Sequence, residues 1–215
     1  MSQPSNDRAL RRFVANFYER TSNGDSEQKF MRPLRQEIVG QAHGVVLEVG
    51  AGNGLNFAFY NPSGVERVEA IEPSTTMLSY ARTRAASAPV SVNLTQAPAE
   101  NLPFPNATFD SIVVTLVFCS VDDPLRALNE LRRVLKPAGT LLMLEHVRAH
   151  GAFAATLQNI ITPLNRRLAG NCHWNRATEN TVQQAGFTIE NRRDISGFLL
   201  PFVVLRAFPA KKSFE

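Results

Sequence analysis

Val45-Val46-Leu47-Glu48-Val49-Gly50-Ala51-Gly52-Asn53-Gly54-Leu55 is the stretch around which this chain is arranged. A short apolar run rich in β-branched residues ends abruptly in glycines at alternate positions. The pattern predicts a buried parallel strand, a tight turn and then a helix continuing from Leu55 to Tyr60. Glycine permits positive φ in such a turn and lets a ligand reach the backbone with no Cβ in the way. Turns of this kind lie at the carboxyl edge of open α/β sheets, where nucleotides bind. The spacing discriminates among nucleotides. A dinucleotide site needs G-x-G-x-x-G, but the sixth position counted from Gly50 is Leu55. A P-loop needs a Gly-Lys-Ser/Thr ending, which this turn lacks.

Outward from that turn, strand and helix patterns alternate. Val65 to Pro73 reads as a second strand ending in an acid, Glu72, 22 positions after Gly50. That is close to the roughly 20-residue offset at which a carboxylate meets ribose hydroxyls, and a carboxylate can accept from both. Ser74 suits the N-cap of a helix through Met77, Leu78 and Ala81. Val90–Leu94 is a third strand, and Phe109–Val121 a fourth with the loop beyond it. Asp122-Asp123-Pro124 supplies a cap and a first-turn proline for a helix whose stripe is Leu125, Leu128, Leu131 and Leu135. Lys136-Pro137-Ala138-Gly139 stops it, and Thr140–Val147 is the fifth strand.

Five strands alternating with helices predict a doubly wound α/β sheet. Later come an inserted amphipathic helix (Phe153–Leu168), a short helix (Thr178–Ala185) closed by Gly186, and two late strands (Phe187–Ile195 and Phe202–Phe208). Residues 1–43 read as helices placed before the sheet, with Leu10, Phe13, Val14 and Phe17, then Phe30, Leu34 and Ile38, at helical spacing. A polar link, Thr21–Ser26, joins them. Helices in that position can cover the ligand site as a lid, with Tyr18 the ring expected over the cofactor.

A chain of 215 residues with 44% apolar and 20% charged residues suits one globular domain. The expected subdivision is a helical cap (1–43), a nucleotide-binding core (44–150) and a substrate-side insertion with the final strands (151–215). The net charge is +4, with basic pairs scattered at Arg11-Arg12, Arg166-Arg167, Arg192-Arg193 and Lys211-Lys212. That distribution argues against a nucleic-acid partner and is compatible with an anionic surface or substrate. Cys119 and Cys172 stand 53 positions apart and form no C-x-x-C pair, so a reduced, cytoplasmic protein with no metal site is the expectation. The oligomeric state is left open.

The Glu48-x-Gly50-x-Gly52-x-Gly54 turn, Glu72, the Ala99-Glu100 loop and Leu131–Pro137 together resemble the Methyltransferase-11 group of class I S-adenosylmethionine-dependent methyltransferases. The resemblance covers residues 45–147. It implies a Rossmann-like, doubly wound seven-stranded sheet with its last strand antiparallel, and S-adenosylmethionine as cofactor. It implies that Glu48 lies beneath the methionine end of that cofactor. The other cofactor contacts it implies are Gly50, Ala51, Gly52, Gly54, Asn56, Glu72, Pro73, Met77, Ala99, Glu100, Thr115 and Leu116. Pro98 stands where the family has an aspartate, so the adenine amine is expected to meet the loop backbone at Ala99 and Glu100 instead.

A narrower likeness runs through Leu47–Phe57, Thr115–Val121, Leu144–Val147 and Gly170–Arg176, which resemble the methyltransferase-like thiol S-methyltransferases and their bacterial relatives. It implies a thiol acceptor, and the apolar side chains of the insertion, Phe153–Arg176, and of Phe198–Phe202 favour a small lipophilic one. Bacterial relatives that methylate phosphatidylethanolamine keep an amine acceptor, and contact with a membrane surface, as the alternative. A cofactor-binding regulatory module without turnover is the third reading. Candidate helpers at strand ends or in the insertion are Cys119, Asp122, His146 and His173, with Tyr18 of the N-terminal helices beside them; no catalytic base is assigned among them.

Overall fold

The structure is a computed structural model that describes residues 5–22, 24–149, 151–168, 171–197 and 200–210, with only the backbone described for 5–11 and 164–168. The side chains of Leu10, Arg166 and Arg167, and residues Gly170, Phe198, Leu199, Lys211 and Lys212, lie outside the described residues.

Seven strands form one sheet: β1 (Gly44–Val49), β2 (Val65–Ile71), β3 (Val92–Thr95), β4 (Phe109–Thr115), β5 (Leu135–His146), β6 (Phe187–Ile195) and β7 (Phe202–Pro209). Their order is β3-β2-β1-β4-β5-β7-β6. Strands β1 to β5 pair in parallel. Strand β7 is antiparallel to both of its neighbours, β5 and β6. The order reverses between β1 and β4, the point where open α/β sheets bind ligands. Strands β1, β4 and β5 are buried along most of their length, as continuous apolar runs in a doubly covered sheet should be.

The helices are α1 (Ser5–Thr21), α2 (Arg32–Val39), α3 (Thr75–Ala85), α4 (Pro124–Val134), α5 (Ala152–Leu168) and α6 (Thr178–Gln184). Ser74 caps α3 by accepting from the Met77 N–H, as its sequence position suggests. Asp123, rather than Asp122, caps α4 through the Arg126 N–H. On α4 the buried stripe is Ala127, Leu128, Leu131 and Val134, while Leu135 already starts β5.

Two expectations fail. No α-helix follows the glycine turn: Phe57–Phe59 is a single 3₁₀ turn, after which Tyr60 is extended. Six residues between Gly54 and the Asn61-Pro62 break are too few to recover the cost of helix nucleation. Burial of Phe57 and Tyr60 holds the segment in place instead. The apolar stripe of α1 is also misplaced. Phe13 and Phe17 are 67% and 60% exposed, and the helix docks through its other side, where Ala15 is buried. That docking is polar. Asn16 accepts from Tyr80, and Glu19 accepts from Arg84 and Asn53. The link after α1 is equally anchored, with Ser22 buried and its hydroxyl accepting from Asn53 at 2.7 Å.

Candidate active site

The glycine turn at the end of β1 divides its labour. Gly50, Gly52 and Gly54 all hold positive φ, at 64°, 57° and 85°. A Cβ at Gly50 would strike Val117, and one at Gly54 would strike Phe57, so these two are packed against by the protein itself. A Cβ at Gly52 would meet nothing nearer than the Gly50 carbonyl at 4.0 Å. Gly52 therefore faces open space. It is the glycine whose bare backbone a ligand could approach.

Glu72 stands opposite. Its Oε2 accepts from the Gly52 N–H at 3.1 Å and its Oε1 from the Ser74 N–H at 2.8 Å, which aims the carboxylate across the mouth of the turn. Burial raises its pKa, and the two backbone donors work against that rise. The carboxylate keeps spare acceptor capacity for a ribose diol. An open face at Gly52 beside an anchored acid is the cradle a nucleoside requires, and the residues present fit S-adenosylmethionine.

Beneath the turn lies a polar floor. Glu48 accepts from Tyr60 Oη at 2.7 Å and from Asn56 Nδ2 at 3.0 Å. The same Asn56 amide donates to Thr115 Oγ1 at 2.9 Å. Burial pushes the Glu48 pKa up to about 7, tempered by the hydrogen bonds from Tyr60 and Asn56 and by the charge of Arg35. The guanidinium of Arg35, from α2, donates to Asn56 Oδ1 and Thr115 Oγ1, and also to Glu27 and the Tyr18 hydroxyl. Arg35 thus ties the N-terminal helices to the floor. The Tyr18 hydroxyl accepts from Arg35 Nη2 at 3.3 Å, which links it to the floor.

The remaining expected contacts are distributed unevenly. Ala51 donates to the Ile71 carbonyl, and Leu116 donates to the Leu144 carbonyl while held at φ 59°, an unusual conformation for leucine at the end of β4. Pro73 offers its carbonyl to Gln96, and Met77 sits half-buried in the first turn of α3. Ala99 is buried. The Glu100 carboxylate is engaged by the N–H groups of Asp122 and Asp123, and its carbonyl by Arg126, so its side chain serves the start of α4.

At the ends of β4 and β5 stands a second cluster. The rings of His146 and Phe202 lie 4.4 Å apart, and Phe30 from the lid packs edge-on against Phe202 at 5.4 Å. Glu145 Oε1 accepts from the Val117 and Phe118 N–H groups, fixing the turn that carries Cys119. Burial drives the Glu145 pKa well above the carboxylate range. Cys119 and Cys172 face one another. Their hydrogen bond, with burial, pushes the Cys119 thiol up, and the same bond draws Cys172 below the usual thiol value. His173 contributes its backbone N–H to the Cys119 carbonyl at 2.7 Å, and Asp122 accepts from Asn171.

The sequence reading missed Arg35, which carries no signal in its polar helix. It also missed Glu145, although an acid inside the apolar run Leu141–Leu144 is a signal. It missed the meeting of Cys119 with Cys172, which their separation concealed.

Fold and site together define a class I S-adenosylmethionine-dependent methyltransferase. The methyltransferase-domain family model, Methyltransf_11, matches residues 47–143. The human thiol S-methyltransferase TMT1B is 30% identical over 170 residues, covering 74% of this chain and 69% of the human protein. The rat TMT1B is 32% identical over 147 residues, covering 66% of this chain but only 59% of the rat protein. A geranyl diphosphate C-methyltransferase from Streptomyces coelicolor has the same fold, with a TM-score of 0.71, 14% identity and coverage of 97% of this chain and 100% of its own. The chain belongs to the methyltransferase family of these thiol S-methyltransferases.

Proposed function

We propose that the chain methylates the sulfur of a small lipophilic thiol. The observation that carries this reading is the aromatic wall of Phe30, Phe202 and His146 beside the ends of β4 and β5. Such a wall takes an apolar body and leaves one polar atom to be directed. The name thiol S-methyltransferase attached to the human and rat relatives supports the same choice. Bound S-adenosylmethionine supplies an activated sulfonium methyl group. Gly52 and Glu72 hold its nucleoside, and Glu48, Asn56 and Thr115 form the polar floor under the methionine end. The remaining task of the protein is placement, since displacement needs the nucleophile in line at roughly 3–3.5 Å. A free thiol, with a pKa near about 8.5, reacts as its thiolate.

A second reading, methylation of a phospholipid amine at a bilayer surface, is favoured by one observation. Phe13, Phe17, Phe153 and Ile160 are all large, apolar and at least 60% exposed. No helix among the described residues is long and apolar enough to cross a membrane. The test is product formation from an alkyl thiol, an aryl thiol and phosphatidylethanolamine vesicles, each at saturating methyl donor. Methyl thioether from either thiol supports the proposal. Turnover on vesicles alone reverses the ranking, and binding of S-adenosylmethionine with no turnover on any acceptor favours a regulatory module.

A further inference from the structure

The sulfur atoms of Cys119 and Cys172 and a ring nitrogen of His146 lie within 4.8 Å of one another. Neither cysteine is in a disulfide, and both are buried. The cluster is assembled from three separate segments, and the bonds that assemble it are mostly made by other groups. His173 N–H donates to the Cys119 carbonyl at 2.7 Å, and Asn171 Nδ2 to the Ser120 carbonyl at 3.1 Å. Arg176 Nη1 donates to the carbonyls of Phe118 and Val121. Asn171 is held at φ 68°, a left-handed conformation that asparagine tolerates. The loop is therefore stitched on both sides of Cys172, which sets this thiol against Cys119.

Two buried atoms at the cluster are orphaned. The His146 side chain shares a hydrogen bond with Cys119, but among the described residues its Nδ1 has no partner, and neither does Oε2 of Glu145, whose other oxygen holds the Cys119 turn. A buried imidazole nitrogen with nothing to bond is costly unless a ligand satisfies it. Two thiols and an imidazole are the donor set of an open zinc site, in which three protein ligands leave a fourth position for an exogenous one. Tetrahedral zinc, with bonds of about 2.0–2.3 Å, sets its ligands about 3.3–3.8 Å apart. The observed cluster reaches that spacing by a contraction on the order of 1 Å.

We infer that Cys119, Cys172 and His146 form a binding site for a thiophilic divalent cation of the zinc type, placed at the acceptor end of the active site. Its use rests on the thiol reading above. Cys119 and Cys172 would hold the cation as thiolates, their protons passing to solvent, and a thiol substrate entering the fourth position would likewise lose its proton to solvent and be held ready as the nucleophile. The lone pair of that sulfur forms the new S–C bond as the C–S bond of the methyl donor breaks, and the electron pair of the broken bond remains on the donor sulfur, which becomes neutral.

The test is equilibrium dialysis of the full, reduced chain against zinc, without acceptor, followed by metal analysis. The expected result is about one zinc per chain, and a thiolate-to-metal charge-transfer band when cobalt(II) replaces zinc. Cys119→Ser, Cys172→Ser and His146→Ala should each weaken zinc binding at least about tenfold, the lower end of what losing an outer-shell partner costs. Retained S-adenosylhomocysteine binding shows that a variant is folded. Should a variant not fold, protection of both wild-type thiols from alkylation by zinc carries the same test. No zinc above the level bound by the Cys119→Ser, Cys172→Ser double variant, with both thiols alkylated at equal rates with and without zinc, overturns the inference. Zinc bound without thiol turnover refutes only the acceptor reading. Thiol turnover by a chain that binds no zinc refutes only the metal site.

Discussion

Replacing Arg35 by alanine should loosen the lid from the cofactor floor, and the size of the effect follows from its partners. Arg35 is 4% exposed. Its Nε meets Glu27 at 2.9 Å, Nη1 meets Asn56 and Thr115 at 3.1 and 3.2 Å, and Nη2 meets the Tyr18 hydroxyl at 3.3 Å. The Glu27 side chain is itself only 13% exposed, so the substitution strands a largely buried anion. Breaking such a pair from one side costs about 3–5 kcal/mol. At about 2–4 °C per kcal/mol for a chain of this size, the melting temperature should fall by about 6–20 °C. Arg35→Met keeps the apolar stem without the charge, which separates packing from electrostatics. Thermal unfolding of both variants, with and without S-adenosylhomocysteine, is the assay. A fall of less than about 3 °C for Arg35→Ala, or full recovery by Arg35→Met, would refute the view that a buried charge network joins lid and floor.

Glu72→Ala should weaken S-adenosylhomocysteine binding by about 1.5–3 kcal/mol, the value of hydrogen bonds to a charged group, or about 10- to 150-fold by calorimetry. Gly52→Ala should weaken that binding strongly while far-ultraviolet circular dichroism stays native, because the new Cβ enters the open face that Gly52 presents and strains its positive φ of 57°. The Glu48 carboxyl, raised to about 7 in the folded state, favours folding fully below its ordinary pKa, and that contribution is lost as pH rises through about 7. On the order of 3 kcal/mol is involved, so denaturant unfolding should show Glu48→Gln flattening the fall in stability between about pH 4.5 and 7. A wild-type profile parallel to that of the variant would show that Glu48 ionises normally.

The sheet is legible because strands buried on both faces are written as unbroken apolar runs, and because the Gly50–Gly54 turn and Glu72 recur at a spacing dictated by nucleotide geometry. Element boundaries from β2 onward follow the same logic except at β5, which begins at Leu135 rather than Thr140 and takes in the Lys136–Gly139 stretch expected to stop the preceding helix. The lid is not legible in that way. In α1 the apolar residues Phe13 and Phe17 point outward, and the docking face is made by Asn16, Glu19 and Ser22 through partners remote in sequence. Polar docking leaves no periodic signature. The same holds within the site. Which glycine faces the ligand depends on Val117 and Phe57, and the Cys119–His146–Cys172 cluster depends on a loop stitched to the turn after β4 by backbone carbonyls.

The central claim, a lipophilic thiol acceptor against the Phe30–Phe202–His146 wall, is tested most directly by one series: kcat/KM for straight-chain alkyl thiols of increasing length at saturating S-adenosylmethionine. Each buried methylene contributes about 0.8 kcal/mol, so kcat/KM should rise about three- to fourfold per added carbon until the wall is covered. A flat or falling series, or methyl transfer to a charged amine in preference to every thiol, would contradict it.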